Sequence, residues 1–287
     1  MSSHLPYTPE GIRAALNTTL LGQRIEVHPQ VSSTNDLIRE AARRGEPESL
    51  VIAADEQVKG RGRLGRTWSA PPGCCILCSV LLRPRFSPEQ AFYLTIATSL
   101  AIYRACKTLL QEDKTSSTST SLIPNPQPLV PIIKWPNDIL IRGRKVAGVL
   151  CESEFTGGEW AFCVVGFGIN VNIRPEDFGE LSARATSLSS ELGHSLDRAA
   201  LLGSVLNELE ALYLLLQGGQ FSQIFNEWAS ALDTIGKRVS VSEPRGVLTG
   251  QALRVDEDGA LVLRLDSGEE KRVLAGDVSG AGATNFG

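Results

Sequence analysis

No stretch of this 287-residue chain is apolar for the roughly twenty residues needed to cross a bilayer. The N-terminal Met1–Pro9 lacks both a basic n-region and a following apolar h-region, so no secretory signal is visible. A soluble, cytoplasmic protein with no membrane partner is the expectation. An excess of positive charge is missing as well: 28 Lys and Arg stand against 32 Asp and Glu. That balance argues against broad attraction to nucleic acid, although a local basic loop can still hold phosphate. Only about thirty residues precede Ser33, too few for a helix-turn-helix module with its linker, so no DNA partner is expected. Histidine is scarce, and His4, His28 and His194 are scattered, which supports neither a metal site nor a His-dependent triad. Six cysteines are present, but Cys74, Cys75 and Cys78 lie in one strand-like run without a second pair at zinc-site spacing. Reduced, core-packing thiols are expected.

What is present is ordinary globular material, 42 % hydrophobic and 21 % charged, with length for one large domain and a small satellite. Apolar periodicity predicts a helix near Pro9–Leu20 and a helix start at Ser32–Asp36. Further helices are predicted over Pro88–Leu110 and, amphipathic, over Leu196–Leu216. Strands are predicted at Arg24–Val27, Ser49–Ala54, Gly73–Leu82, Ile132–Lys134, Ile139–Ile141, Lys145–Glu152 and Ala161–Ile169. Between Gln111 and Pro131 the composition turns Ser/Thr-rich and then Pro-rich, and a disordered surface insertion of about residues 112–130 is expected. From Gly236 short alternating strands follow at Arg238–Ser242, Val247–Val255, Ala260–Leu265 and Glu270–Leu274, separated by Asp258-Gly259 and Ser267-Gly268 turns. The fold class is α+β, with a catalytic core over 1–234 and a small β-barrel over 235–282.

The most informative segment is Gln57–Trp68, in which Gly60, Gly62 and Gly65 alternate with Arg61, Arg63 and Arg66. Glycine lets backbone wrap a ligand closely, and arginine offers a planar fork of donors to phosphate or carboxylate. The glycines satisfy the dinucleotide fingerprint, but that fold requires a helix to start at the loop. Here Ser69–Gly73 and then a strand follow. A P-loop fails on the same ground, with Arg66 at its lysine position. A kinase loop fails because no His-Arg-Asp or Asp-Phe-Gly element comes later. A loop closing over an anion remains, against the alternative of a solvated basic loop.

Two further clusters stand out. Lys134-Trp135-Pro136-Asn137-Asp138 places oxygen donors at a strand-to-strand turn, either shaping the turn or orienting Mg²⁺ and nucleotide. Lys145 then opens an apolar strand that contains Gly148. Gly166-Phe167-Gly168-Ile169-Asn170-Val171-Asn172 puts two asparagines on one strand face, able to project into one cavity or to cap a strand end.

In order and spacing these segments resemble the biotin–protein ligase family. The matches are Ser33-Thr34-Asn35, Gln57 with the Gly60–Trp68 loop, Lys134–Asp138, Lys145–Leu150 and Gly168–Asn172, with weaker support from Thr186-Ser187-Leu188 and Trp228. The resemblance runs from about Arg24 to Val278. It implies a catalytic domain like that of class II aminoacyl-tRNA synthetases, with a mixed sheet and flanking helices, followed by an SH3-like domain. It implies a monofunctional form, with ATP and biotin as substrates, Mg²⁺ as cofactor, and the biotin carboxyl carrier protein of acetyl-CoA carboxylase or a similar enzyme as partner. A homodimer is compatible with it. The biotin pocket it implies comprises Ser33, Thr34, Asn35, Gln57, Gly60, Arg61, Gly62, Arg63, Lys145 and Gly148, with Arg63 and Lys145 as the catalytic pair. Arg66, Trp68, Asn137, Asp138 and Asn170 would serve ATP, and Asp138 the metal. Because the biotin carboxylate and ATP are both anions, Arg61, Arg63, Lys145 and Mg²⁺ would supply positive charge where negative charge converges. The enzyme rival is a lipoate–protein ligase, which shares the adenylation logic.

Overall fold

The computed structural model describes residues 7–116, 129–243 and 246–280. Thr8 caps the first helix, α1 (Pro9–Ala14), by accepting from Gly11 N, and Pro9 supplies a preset φ at its start. The helix ends six residues short of the expected Leu20, because the backbone N–H groups of Thr19, Leu20 and Leu21 turn to the carboxylate of Glu210 instead. There follow β1 (Arg24–His28), α2 (Thr34–Arg43), β2 (Leu50–Ala54), β3 (Cys75–Leu82), α3 (Phe92–Ser116), β4 (Pro131–Lys134), β5 (Asp138–Ile141), β6 (Arg144–Thr156) and β7 (Glu159–Asn170). Then come α4 (Leu188–Leu192), α5 (Arg198–Gln217) and α6 (Phe221–Ala231). The chain finishes with β8 (Arg238–Glu243), β9 (Gly246–Val255), β10 (Leu261–Leu265), β11 (Glu270–Val273) and β12 (Asp277–Gly280).

The first seven strands form one mixed sheet in the order β1-β2-β3-β7-β6-β5-β4, parallel only between β1 and β2. Its centre, β3 and β7, is buried along nearly its whole length. One face packs against α3 and α5 in the main core, where Ile76, Val80, Val165 and Ile169 meet Ile96, Leu100, Leu202 and Leu206. The other face is only partly covered. There α2 lays Ile38 and Ala42 on Ile52, Leu81 and Val164, and the rest of that face is left to the site.

Two expectations change. The segment Gln111–Ser116 is not part of a loop but prolongs α3, and the remainder of the expected insertion, 117–128, lies outside the described residues. The helix predicted as amphipathic, α5, buries side chains nearly all round, among them Leu202, Val205, Leu209, Leu212 and Leu216. Its length and mean hydropathy of 1.5 would suffice to cross a membrane. It is the one such helix among the described residues, and it packs against α1, α3 and α6 inside the fold. The six cysteines are free thiols; burial pushes Cys75 up to about 12, so it is a packing group.

The last five strands form an SH3-like antiparallel sheet in the order β11-β10-β9-β8-β12. The indole Nε1 of Trp135 donates to the Gly259 carbonyl at 2.9 Å in a buried contact that docks this sheet against the first. Lys134 Nζ reaches the Val278 carbonyl at 3.1 Å beside it.

Candidate active site

The uncovered face of the large sheet has a floor of glycine. Gly148 of β6 pairs with Gly168 of β7, which pairs with Leu77 of β3; two residues along, Leu150, Gly166 and Ser79 form the next row. A β-carbon at Gly168 would lie 2.6 Å from the Trp68 ring, and one at Gly166 would run into the Asn35 amide. The missing side chains therefore let other groups settle onto the sheet. The cleft above them is open to solvent at its mouth.

Its closed end is built from α2. The Gln57 Oε1 accepts from the Thr34 backbone N–H at 2.7 Å and from the Thr34 hydroxyl at 3.0 Å. The Asn35 Nδ2 donates to Glu152 Oε2 at 2.6 Å and to the Leu150 carbonyl at 3.3 Å. Ser33, Thr34 and Asn35 are all buried. This end is polar, and its Thr34, Asn35 and Gln57 side chains are uncharged and hydrogen-bonded to protein.

The glycine-arginine loop folds across the mouth as a tight double-back. Gly62 N donates to Arg66 O at 2.7 Å and Trp68 N to Gly60 O at 2.9 Å, and the tip turns through positive φ at Leu64 and Gly65. Each arginine is tied to protein. Arg61 forks onto Asp36 at 2.7 and 2.8 Å. Arg63 donates to Asn137 Oδ1 at 2.9 Å and to the Gly276 carbonyl at 3.2 Å. Arg66 pairs with Asp277 at 2.8 Å. The hydrogen bond from Arg61 is the main force holding the Asp36 carboxyl below the usual range. Burial depresses Arg63 against the opposing charges of Asp138 and Asp277, yet a guanidinium stays protonated.

The charged end lies at Gly148. Lys145 Nζ sits 2.6 Å from Asp138 Oδ1 and 5.4 Å from the centroid of the Trp68 ring. Lys134 stands 3.6 Å from the other Asp138 oxygen. Burial pushes the Asp138 carboxyl up, but Lys145, Lys134 and Arg63 outweigh it and keep the group ionised. The Trp68 Nε1 is buried with no hydrogen-bond partner among the described residues.

Of the residues expected in the site, Ser33, Thr34, Asn35, Gln57, Arg61, Gly62, Arg63, Arg66, Trp68, Asn137, Asp138, Lys145 and Gly148 line this cleft. Two do not. Gly60 lies under the loop, where a β-carbon would strike the Trp68 carbonyl oxygen, so its lack of a side chain permits loop closure. Asn170 points behind the charged end: its Nδ2 donates to Thr186 O at 3.0 Å and reaches Lys145 O at 3.5 Å, bracing the start of β6. Asn172 does not share a cavity with it, being bound to both backbone groups of Leu196. Nor does the donor set fit a protein-held Mg²⁺. Both Asp138 oxygens face lysines, and among the described residues no three His, Cys, Asp or Glu gather to hold a metal ion. Gly166, Gly168, Gly276 and Asp277 also line the cleft. The first two carry a readable signal, small residues alternating in an apolar strand, whereas the last two come from a sheet that is remote in sequence.

Residues 27–170 match the profile of the biotin/lipoate A/B protein ligase family, and residues 234–279 match that of the biotin protein ligase C-terminal domain. The chain belongs to this family. Within it, the bifunctional ligase/repressor BirA of Bacillus subtilis is 32 % identical over 268 residues, 93 % of this chain and 77 % of that protein. The biotin–[acetyl-CoA-carboxylase] ligase of Mycobacterium tuberculosis is 34 % identical over 259 residues, 89 % of this chain and 88 % of that one. The structure of the Aquifex aeolicus biotin protein ligase in complex with biotin and ATP superposes with a TM-score of 0.71 at 27 % identity, covering 90 % of this chain and 98 % of that one.

Proposed function

We propose that this member of the ligase family is an ATP-dependent biotin–protein ligase. It forms biotinyl-5′-AMP from biotin and ATP, then transfers biotin to a lysine of the biotin carboxyl carrier protein of acetyl-CoA carboxylase or a similar enzyme. One observation carries the reading. A single glycine-floored cleft has a neutral hydrogen-bonding end at Thr34, Asn35 and Gln57 and a cationic end at Lys145 and Arg63. Biotin has that polarity, with an uncharged ureido ring at one end and a carboxylate at the other.

Ser33, Thr34, Asn35 and Gln57 read the ring, with Arg61, Gly62 and Gly148 shaping the passage. Lys145 and Arg63 meet the carboxylate and the α-phosphate. In the first step a carboxylate oxygen bonds to the α-phosphorus while the bond to pyrophosphate breaks. Fixed cations offset the charge that converges there, and no protein nucleophile is required. Arg66, Trp68, Asn137 and Asp138 form the nucleotide side, and Asn170 serves it indirectly by bracing the strand of Lys145. Mg²⁺ would arrive on the nucleotide, since magnesium keeps water and phosphate ligands readily. The closed loop keeps water from the mixed anhydride until the carrier amine attacks the carbonyl and AMP leaves. We assign the catalytic domain to residues 1–234 and the barrel to 235–282.

The deciding experiment incubates the protein with ATP, Mg²⁺ and labelled biotin, with and without a biotin carrier domain, and repeats it with lipoate. Label on the carrier lysine that needs ATP establishes the reading. Adenylate with lipoate but not biotin transfers it to the lipoate branch, and no adenylate with either acid ends it.

A further inference from the structure

Ser79 is the one polar residue of β3, whose eight side chains are all buried. It is 0 % exposed and lies behind the cleft wall rather than in it. Its hydroxyl is 2.7 Å from Thr34 Oγ1 and 2.5 Å from Asn35 Oδ1. On the neighbouring strand its partner is Gly166, and the absence of a β-carbon there is what lets the Asn35 amide reach across the sheet to it.

A carboxamide presents an acceptor on one side and two donors on the other, and the two faces exchange on a half-turn. Ser79, as a donor to Asn35 Oδ1, fixes that amide with its nitrogen toward Glu152 and Leu150. With its one proton given there, Ser79 offers Thr34 Oγ1 only a lone pair, and the Gln57 oxygen is held to the wall by the Thr34 N–H, with its NH₂ toward the cleft. One buried hydroxyl thus orders the Asn35 amide and faces the Thr34 hydroxyl.

From this we infer that Ser79 is a positioning residue: through Asn35 and Thr34 it sets the donor and acceptor pattern with which the closed end reads a cyclic urea. The inference rests on the biotin reading above. It predicts a defect confined to the heterocycle. In ATP–pyrophosphate exchange, Ser79→Ala raises the KM for biotin about tenfold, as loss of one ordered hydrogen bond would. The KM for ATP and kcat stay within about twofold by the same measure. With 2-iminobiotin, whose ureido oxygen is replaced by nitrogen, Ser79→Ala and the unaltered chain differ by less than with biotin. Ser79→Thr, which keeps the hydroxyl, restores the biotin KM. Should Ser79→Ala not fold, Ser79→Cys, close in shape and a weak donor, takes its place.

An unchanged biotin KM overturns the inference, as does a rise shared equally by biotin and ATP together with a lowered thermal midpoint, the mark of a structural role alone. Failure of the unaltered chain to exchange with biotin at all strikes the functional reading instead, and the inference with it.

Discussion

The Trp68 indole rests on Gly168 with Lys145 above its ring, so three residues from three separate motifs share one point in the cleft. Gly168→Ala would place a carbon 2.6 Å from the indole ring, and the ring would have to leave. We expect kcat/KM for adenylate formation to fall at least about tenfold, since misplacement of a positioning group is felt that strongly. Thermal stability should change little, and Trp68 emission should shift to the red. Unchanged emission and unchanged kinetics would refute the stacking role. Residues of this kind were readable in part. Arginines alternating with glycines announce an anion-binding loop, because few packed structures tolerate that mixture. Which partner each arginine takes was not readable: Arg61 meets Asp36, Arg63 meets Asn137 and Arg66 meets Asp277, and only folding sets those pairs.

Among the elements, α5 packs against α1 and also gathers the turn that follows it onto one carboxylate. Glu210 accepts the backbone N–H groups of Thr19, Leu20 and Leu21 at 2.6 to 2.8 Å. Burial pushes this carboxyl up, but the three N–H groups outweigh it and hold it below its ordinary value. A depressed pKa contributes stability above the unfolded value of about 4.3, and that contribution is lost as pH falls through the lower folded value. Glu210→Gln should therefore cost about 1.5–3 kcal/mol at neutral pH, with the gap to the unaltered chain closing below about pH 4. Denaturant titrations at several pH values measure it, and a gap that persists into acid would show the charge to be irrelevant. The helices and strands with strong apolar periodicity were legible within a few residues. The short β12 was not: of Asp277–Gly280 only Val278 is buried, and the strand exists because β8 pairs with it. Nor was α6, whose first turn has no side-chain cap.

At the scale of the molecule, the C-terminal sheet completes the mouth of the cleft. Asp277 holds Arg66 at 2.8 Å and stands 3.8 Å from Lys134, while the separate bond from Trp135 to Gly259 docks the sheet. Because those two roles fall on different residues, Asp277→Ala should loosen the loop without releasing the sheet. We expect pre-formed adenylate to leave the variant about tenfold faster, the consequence of about 1.4 kcal/mol of lost closure, with the thermal midpoint nearly unchanged. An unaltered release rate in a rapid-quench measurement would remove the latch from the account.

The residue pattern along the chain was sufficient for the α+β class, the positions of most strands along the chain, the anion-binding loop and its resemblance to one ligase family. Those features depend on local periodicity and on side-chain chemistry that is read within about a dozen neighbouring positions. Tertiary structure alone decided that Gly148, Gly166 and Gly168 become a floor, that Ser79 stands behind the closed end, and that Asn170 braces Lys145 instead of facing the cleft. The physical reason is register. Whether a side chain enters a cavity, supports it or leaves room for it depends on which residue lies across from it on the next strand, and that residue is distant in sequence.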